Sequence, residues 1–182
     1  MKKRIFTAIK VSPDLENKVS DWQKNQSGLN VRWIAPKNLH ITLVPPWYAE
    51  ESQIANLEAR LAETAKNTKA FKIKFHKISF GPDPKHPRLI WAEGDAPEAA
   101  IRFKEDAERI FGTQSEYRPW KIHLTVARFK EEDFADFSVK KLDEKIFWPE
   151  NVNGVVLMES RLLKSGADYL ILCTAGFADL VK

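Results

Sequence analysis

Two stretches of this chain share one pattern, His-apolar-Thr-apolar, and it constrains the fold more than any other feature. Residues 40–43 read His-Ile-Thr-Leu, and residues 123–126 read His-Leu-Thr-Val. In a β-strand successive side chains point to opposite faces, so residues i and i+2 share a side. His40 and Thr42 therefore lie on one face, with Ile41 and Leu43 on the other. His123 and Thr125 are divided from Leu124 and Val126 in the same way. Each strand has an apolar face suited to a core and a polar face left open. If the two sheets look at each other, both His-Thr pairs line one cleft.

The remaining chain supplies parts for two such sheets. Residues 4–11 (RIFTAIKV) are rich in β-branched and aromatic types and read as a strand. In SPDLENKVSDWQKN, Ser12 is a helix cap, Pro13 suits the first helical position, and Leu15, Val19 and Trp22 fall on one face. VRWIAP and LHITLV read as short strands joined by a turn at Pro36-Lys37-Asn38. ESQIANLEARLAETAK is amphipathic, with Ile54, Leu57 and Leu61 at helical spacing. AFKIKFHKISF alternates as a half-buried strand does, GPDPKHP reads as a loop, and RLIWAEG as a further strand. PEAAIRFKEDAERIF begins a helix at Pro97, and KIHLTVARF is the second motif strand. VNGVVLMESRLL and ADYLILCTAGF pair as strands around the turn KSGA. The order places one His-Thr strand in each half of the chain. It predicts an α+β fold of two pseudo-symmetric lobes, each an antiparallel sheet flanked by helices, with the active site in the cleft between the sheets. Residues 1–182 are read as a single bilobal domain.

Composition narrows the setting without naming a chemistry. With 43% hydrophobic and 30% charged residues the chain is an ordinary globular one. Its net charge of +4 favours an anionic partner, RNA and small phosphate esters alike. A single cysteine, Cys173, sits in an apolar strand; it cannot form an internal disulfide and points to a reducing, cytoplasmic location. The basic N-terminus is followed by an apolar run broken at Lys10, too short for a signal peptide, and no segment approaches a membrane span.

Two histidines with two hydroxyls suit phosphate chemistry. Imidazole titrates near neutral pH, so one ring can be neutral while its twin is protonated. Such a pair can take a proton from water and give one to a departing oxygen. A Thr hydroxyl beside each ring can hydrogen-bond a phosphoryl oxygen. Displacement at phosphorus runs in line, with attacking and leaving oxygens on opposite sides, and two opposed histidines meet that need without a metal. A metal centre is the chemical alternative. Two His are too few for a closed zinc site, and no Asp, Glu or Cys stands at ligand spacing from either motif, which leaves only ligands brought from elsewhere in the fold.

VRWIAPKNLHITL and RPWKIHLTVAR resemble the paired motifs of the two-histidine phosphoesterase superfamily. Within it the chain is most similar to the bacterial and archaeal RNA 2′,3′-cyclic phosphodiesterases, also called 2′-5′ RNA ligases. RIFTAIKVSPDLENKV, HPRLIWAEG and VVLMESRLLKSGADYLIL support the likeness in the right order. The resemblance implies a bilobal α+β fold. It also implies metal-independent opening of a 2′,3′-cyclic phosphate to a 2′-phosphomonoester, accompanied by 2′-5′ RNA ligation. It makes His40 and His123 the catalytic pair, with Thr42, Thr125 and Arg128 on the phosphate, and requires no cofactor. Of the pair, His123 is expected to activate water and His40 to protonate the 3′ oxygen. The expected partners are RNA ends or nucleotides with a 2′,3′-cyclic phosphate, met by a monomer that binds no membrane. Two alternatives stay open. One is a sister activity, a 2′-5′ phosphodiesterase or a cyclic ADP-ribose phosphate hydrolase. The other is a non-catalytic module that binds RNA ends.

Arg128 lies five residues after His123, so strict alternation sends it to the wrong face. Reaching the phosphate requires the strand to end, bend or bulge after Thr125. The chain also departs from its relatives around both motifs. VPPWY stands where Phe-Leu-Gly is common, and KIH where a His-Pro pair is common. Both departures bear on substrate identity. Trp47, Tyr48, Tyr117 and Trp120 flank the motifs and are candidates for stacking a base. Lys37, Arg88, Arg118, Lys121 and Lys130 are candidates for attracting a phosphate backbone. His76 and His86 lack a Thr partner and are left outside the site.

Overall fold

A computed structural model describes residues 1–26, 28–113, 120–163 and 166–178. Two antiparallel sheets carry the fold. The first has the order β3-β1-β8-β9, built from β1 (Lys2–Lys10), β3 (His40–Glu50), β8 (Gly154–Leu163) and β9 (Gly166–Gly176). The second has the order β2-β6-β5-β4-β7, built from β2 (Arg32–Trp33), β4 (Phe71–Asp83), β5 (His86–Gly94), β6 (Ile122–Arg128) and β7 (Asp143–Val152). Among the described residues three α-helices connect the strands: α1 (Pro13–Lys24), α2 (Ile54–Lys66) and α3 (Glu98–Phe111).

The two sheets are built alike. In each, the motif strand lies beside the strand that precedes it through a helix: β1-α1-β3 in the first, β5-α3-β6 in the second. The duplication does not follow the halves of the chain, however. β8 and β9 return to the first sheet, next to β1, while β2 crosses to the edge of the second. Two local readings also change. The expected loop at GPDPKHP is mostly strand, since β4 runs to Asp83 and β5 begins at His86. Strand β7 had no sequence expectation. It pairs along one edge with β4 and carries Pro149, which an edge strand tolerates because its outer side needs no donor. The turn residues Lys164 and Ser165 lie outside the described residues.

Helix boundaries follow their caps. The Ser12 hydroxyl accepts from the Leu15 N–H, and Pro13 opens α1. Gly112 closes α3 in the left-handed conformation that a residue without Cβ adopts freely. One apolar core draws on both sheets, with Ile41 and Leu43 from β3, Leu124 and Val126 from β6, Leu61 from α2 and Phe103 from α3. A second, smaller cluster lies on the opposite face of the first sheet: Phe6, Ala8, Val156 and Met158, with Tyr169 against them.

Candidate active site

The motif strands β3 and β6 approach each other directly, with Cα atoms within 8 Å. Their apolar residues Ile41, Leu43, Leu124 and Val126 are fully buried, which anchors both strands and turns the His-Thr pairs away from the core. The sequence expectation of one His-Thr face per sheet describes this arrangement.

Each histidine is held by the backbone just before its own strand. His40 Nδ1 lies 2.7 Å from the Asn38 carbonyl oxygen, and His123 Nδ1 lies 3.0 Å from that of Lys121. A carbonyl only accepts, so in both rings Nδ1 carries a proton, and Nε2 is the nitrogen at which each ring gains or loses one. Both tethers reach back two residues, and the two motifs are thus the same device.

Their surroundings differ. The His40 ring sits between Phe6, with ring centroids 5.1 Å apart, and Tyr169, at 4.9 Å in edge-on contact. Burial in this apolar corner pushes its pKa down to about 4; the Asn38 carbonyl opposes the shift, and the charges of Arg128 and His123 reinforce it. His40 is therefore neutral at pH 7 in the free protein, and its electrostatic response to Arg128 and His123 places all three groups in one neighbourhood. The His123 ring packs on Trp91 at 4.8 Å. The Trp91 indole N–H donates to Ser79 Oγ (2.9 Å) and Glu93 Oε1 (3.2 Å), and Ser79 in turn donates to Glu93. Burial disfavours the Glu93 carboxylate, yet the Ser79 hydroxyl, the Lys77 charge and the indole together hold its pKa below the ordinary range. Glu93 pairs in register with His123, so the polar support lies directly beside that ring.

Both strands carry a β-bulge at the same point. On β3, Ala8 opposes Thr42 but Thr7 opposes Val44, so Leu43 is the extra residue. On β6, Trp91 opposes Thr125 but Ile90 opposes Ala127, so Val126 is the extra residue. Two consecutive residues after each Thr therefore turn to the core, and all four are buried. The next residue comes back to the cleft side. On β6 that residue is Arg128, opposite Leu89; on β3 it is Pro45. The parity problem posed by the sequence is solved by the bulge. Backbone groups disturbed by the bulges find side chains: the Val44 N–H donates to the buried Thr7 hydroxyl at 3.2 Å, and the Val126 carbonyl accepts from Gln23 Nε2 at 3.0 Å as well as from the Ile34 N–H at 2.9 Å.

The structure brings His40, His123 and Arg128 into one neighbourhood, with Thr42 and Thr125 two residues beyond the histidines on the same strand faces, and it treats the expected aromatic residues differently. Trp47 is a correction. A second irregularity at Pro45-Pro46 sets it opposite Ile5 on the core side, where it stacks on Phe111 at 5.0 Å. Tyr48 is exposed on the His40 side, but eight residues along the strand, roughly 25 Å at the usual rise. Trp120 is half-buried with the Lys104 ammonium over its ring at 5.9 Å. Tyr117 and Arg118 lie outside the described residues. Lys37 is tied to Asp168 at 2.6 Å, and His86 to Glu131 at 2.7 Å. Sequence reasoning missed Phe6, Trp91 and Tyr169, the rings that flank the histidines. Cross-strand pairing brings them there, and no local spacing signals it. Among the described residues no cluster of three or more His, Cys, Asp or Glu is disposed to hold a metal ion, and no helix is long and apolar enough to cross a membrane.

Known proteins share this architecture. A Thermus thermophilus protein matches it with a TM-score of 0.79 at 20% identity, over 96% of this chain and 97% of that one. E. coli LigT, solved in complex with 3′-AMP, matches with a TM-score of 0.75 at 19% identity, over 97% and 99%. In sequence, an Archaeoglobus fulgidus protein named RNA 2′,3′-cyclic phosphodiesterase is 32% identical over 173 residues, 91% of this chain and 96% of that protein. A Bacillus subtilis protein of the same name is 33% identical over 127 residues, 68% and 69% respectively. The family model that matches, over residues 11–162, is that of the 2′-5′ RNA ligase superfamily.

Proposed function

Because the chain belongs to the 2′-5′ RNA ligase superfamily, we propose that it is an RNA 2′,3′-cyclic phosphodiesterase that opens the ring to a 2′-phosphomonoester. The observation that supports this reading is the pair of histidines, each fixed by an Nδ1–H bond to the carbonyl two residues back, with His40 close enough to feel the charges of His123 and Arg128. Thr42, Thr125 and Arg128 hold the phosphoryl oxygens, neutralising charge where it accumulates during in-line displacement.

His123 takes a proton from water, whose oxygen bonds to phosphorus. The bond from phosphorus to the 3′ oxygen breaks, and His40 protonates that oxygen as it leaves. The His123 tether is exposed to solvent, whereas His40 packs between Phe6 and Tyr169, where a nucleoside displaces water. The low pKa of His40 makes its imidazolium a strong acid, and the bound phosphate anion supplies the counter-charge that lets it take up a proton. The cycle closes when His123 returns its proton to water and His40 is reprotonated. No metal takes part in these steps, and residues 1–182 act as one unit, a monomer in the cytoplasm.

The test is incubation with a nucleoside 2′,3′-cyclic phosphate in the presence of a chelator, followed by identification of the product. The expected product is the 2′-phosphate, formed at an unchanged rate. Formation of the 3′-phosphate, or tight binding without turnover, would overturn the reading.

A further inference from the structure

Strand β2 contributes two residues to the edge of the second sheet, and they point in opposite directions. Trp33 turns to the core, edge-on to Trp22 at 6.0 Å. Arg32 therefore turns to the cleft side, and its register partner on β6 is Arg128. Directly opposite residues of an antiparallel pair have Cα atoms roughly 5 Å apart, and like charges there repel. Among the described residues no ion pair joins either arginine to an acid: Asp168 is engaged by Lys37, and Asp133, which lines the same pocket, accepts the Lys130 N–H at 3.2 Å. The two arginines line a pocket of about 430 Å³ with Asn30, Lys130 and Asp133.

Arg32 also spans the two sheets. Its Nη1 lies 2.9 Å from where a Cβ on Gly166 would stand, so any larger residue at this turn of the β8–β9 hairpin would press on the guanidinium. Gly166 has φ +124°, a backbone conformation that side chains rarely adopt. The structure thus keeps an arginine extended over the cleft, one strand outward from the arginine assigned to the reacting phosphate. Local rules broken at one place, here two like charges in register, are what functional sites carry and the rest of a fold avoids.

We propose that Arg32 is a specificity-determining residue that holds the phosphodiester next to the reacting cyclic phosphate. The preferred substrate is then the end of an oligoribonucleotide, with at least two phosphates in the site, over a mononucleoside 2′,3′-cyclic phosphate. The reading rests on the cyclic phosphodiesterase function proposed above. A planar guanidinium suits the task because it donates two parallel hydrogen bonds to one phosphate.

The test compares kcat/KM for a dinucleotide ending in a 2′,3′-cyclic phosphate with that for the matching mononucleotide, in the native chain and in Arg32→Gln. Loss of one charge-assisted contact predicts that the variant falls roughly ten- to a hundredfold further on the dinucleotide than on the mononucleotide. The slope of log kcat/KM against log salt on the dinucleotide should also flatten by about one. Equal losses on both substrates, or none on either, would overturn the proposal. Calorimetry with a nucleoside 2′,5′-bisphosphate and a 2′-monophosphate separates the two readings. If the native chain turns over neither cyclic substrate, the function assigned above fails. The Arg32 proposal then stands only if the bisphosphate binds more tightly and Arg32→Gln removes that advantage. Thermal melting at low salt controls for folding, and the variant should melt no lower than the native chain because a repulsion has been removed.

Discussion

The two motif strands are twins in backbone and opposites in surroundings. Both fix a histidine through Nδ1 to the carbonyl two residues back, and both bulge after the threonine. Yet His40 lies among Phe6 and Tyr169 over an apolar floor, while His123 rests on Trp91 with Ser79, Glu93 and Lys77 behind it. The returning residue after the bulge is Pro45 on one strand and Arg128 on the other. The backbone has been held constant and the chemistry varied around it. Two groups of one type can then do unlike work, because environment and not residue identity separates their proton affinities.

The largest difference between the two histidines should appear in turnover. His40→Ala and His123→Ala should each lower kcat by roughly 10²–10⁴, the usual worth of a positioned acid or base. A substrate with sulfur at the 3′ leaving position, which departs without a proton, should restore most of the rate to His40→Ala and none to His123→Ala. Rescue of the other variant would exchange the two roles.

A smaller effect concerns folding, and it should be confined to one strand. His40 has a folded pKa of about 4 against 6.5 for the unfolded ring. Between these values the unfolded chain binds a proton that the folded chain refuses. Stability from this group is therefore complete above pH 6.5 and is lost as pH falls toward 4, by on the order of 3 kcal/mol. Urea titrations at both pH values should show the drop, and His40→Asn should abolish its share. An unchanged pH dependence in that variant would show that the apolar corner does not set the histidine's proton affinity.

The bulges provide the finest comparison. Thr7→Val leaves the Val44 N–H without its partner in a buried setting and should cost about 1–3 kcal/mol. Gln23→Ala removes one of two donors to the Val126 carbonyl, which keeps the Ile34 N–H, and should cost nearer 0.5–1.5 kcal/mol. Denaturant midpoints at constant slope would check the order; a larger loss for Gln23→Ala would mean that the second bulge depends on α1 more than its hydrogen bonds indicate.

What the sequence disclosed follows the range of the interactions. Alternation is local, so the buried and outward faces of β3 and β6 at the two motifs were legible from spacing alone. Caps are local too, and α1 begins where Ser12 and Pro13 place it. The need for a strand end, bend or bulge after Thr125 could be stated from parity, since Arg128 stands an odd number of residues from His123; which of the three it is could not. Trp47 was misplaced for the same reason, because a second irregularity reversed its face. Strand β7 escaped notice because its charged start and Pro149 suit an edge that no local pattern announces. Phe6, Trp91, Tyr169 and Arg32 reach the cleft through pairing between strands distant in sequence, and composition carries no trace of that.

A strand is read in steps of two, and a bulge acts on that reading as a frameshift does on a message. Val126 is the inserted letter: His123 and Thr125 before it and Arg128 after it lie in different frames of the sequence yet on one side of the sheet. Removing one of the two core residues between Thr125 and Arg128, Val126 or Ala127, restores the frame without turning any of the three. Removing Leu124 instead turns His123 over relative to Thr125. Positions 126–127, and by the same reasoning 43–44, are where these strands can change length and still present the same residues on the same side.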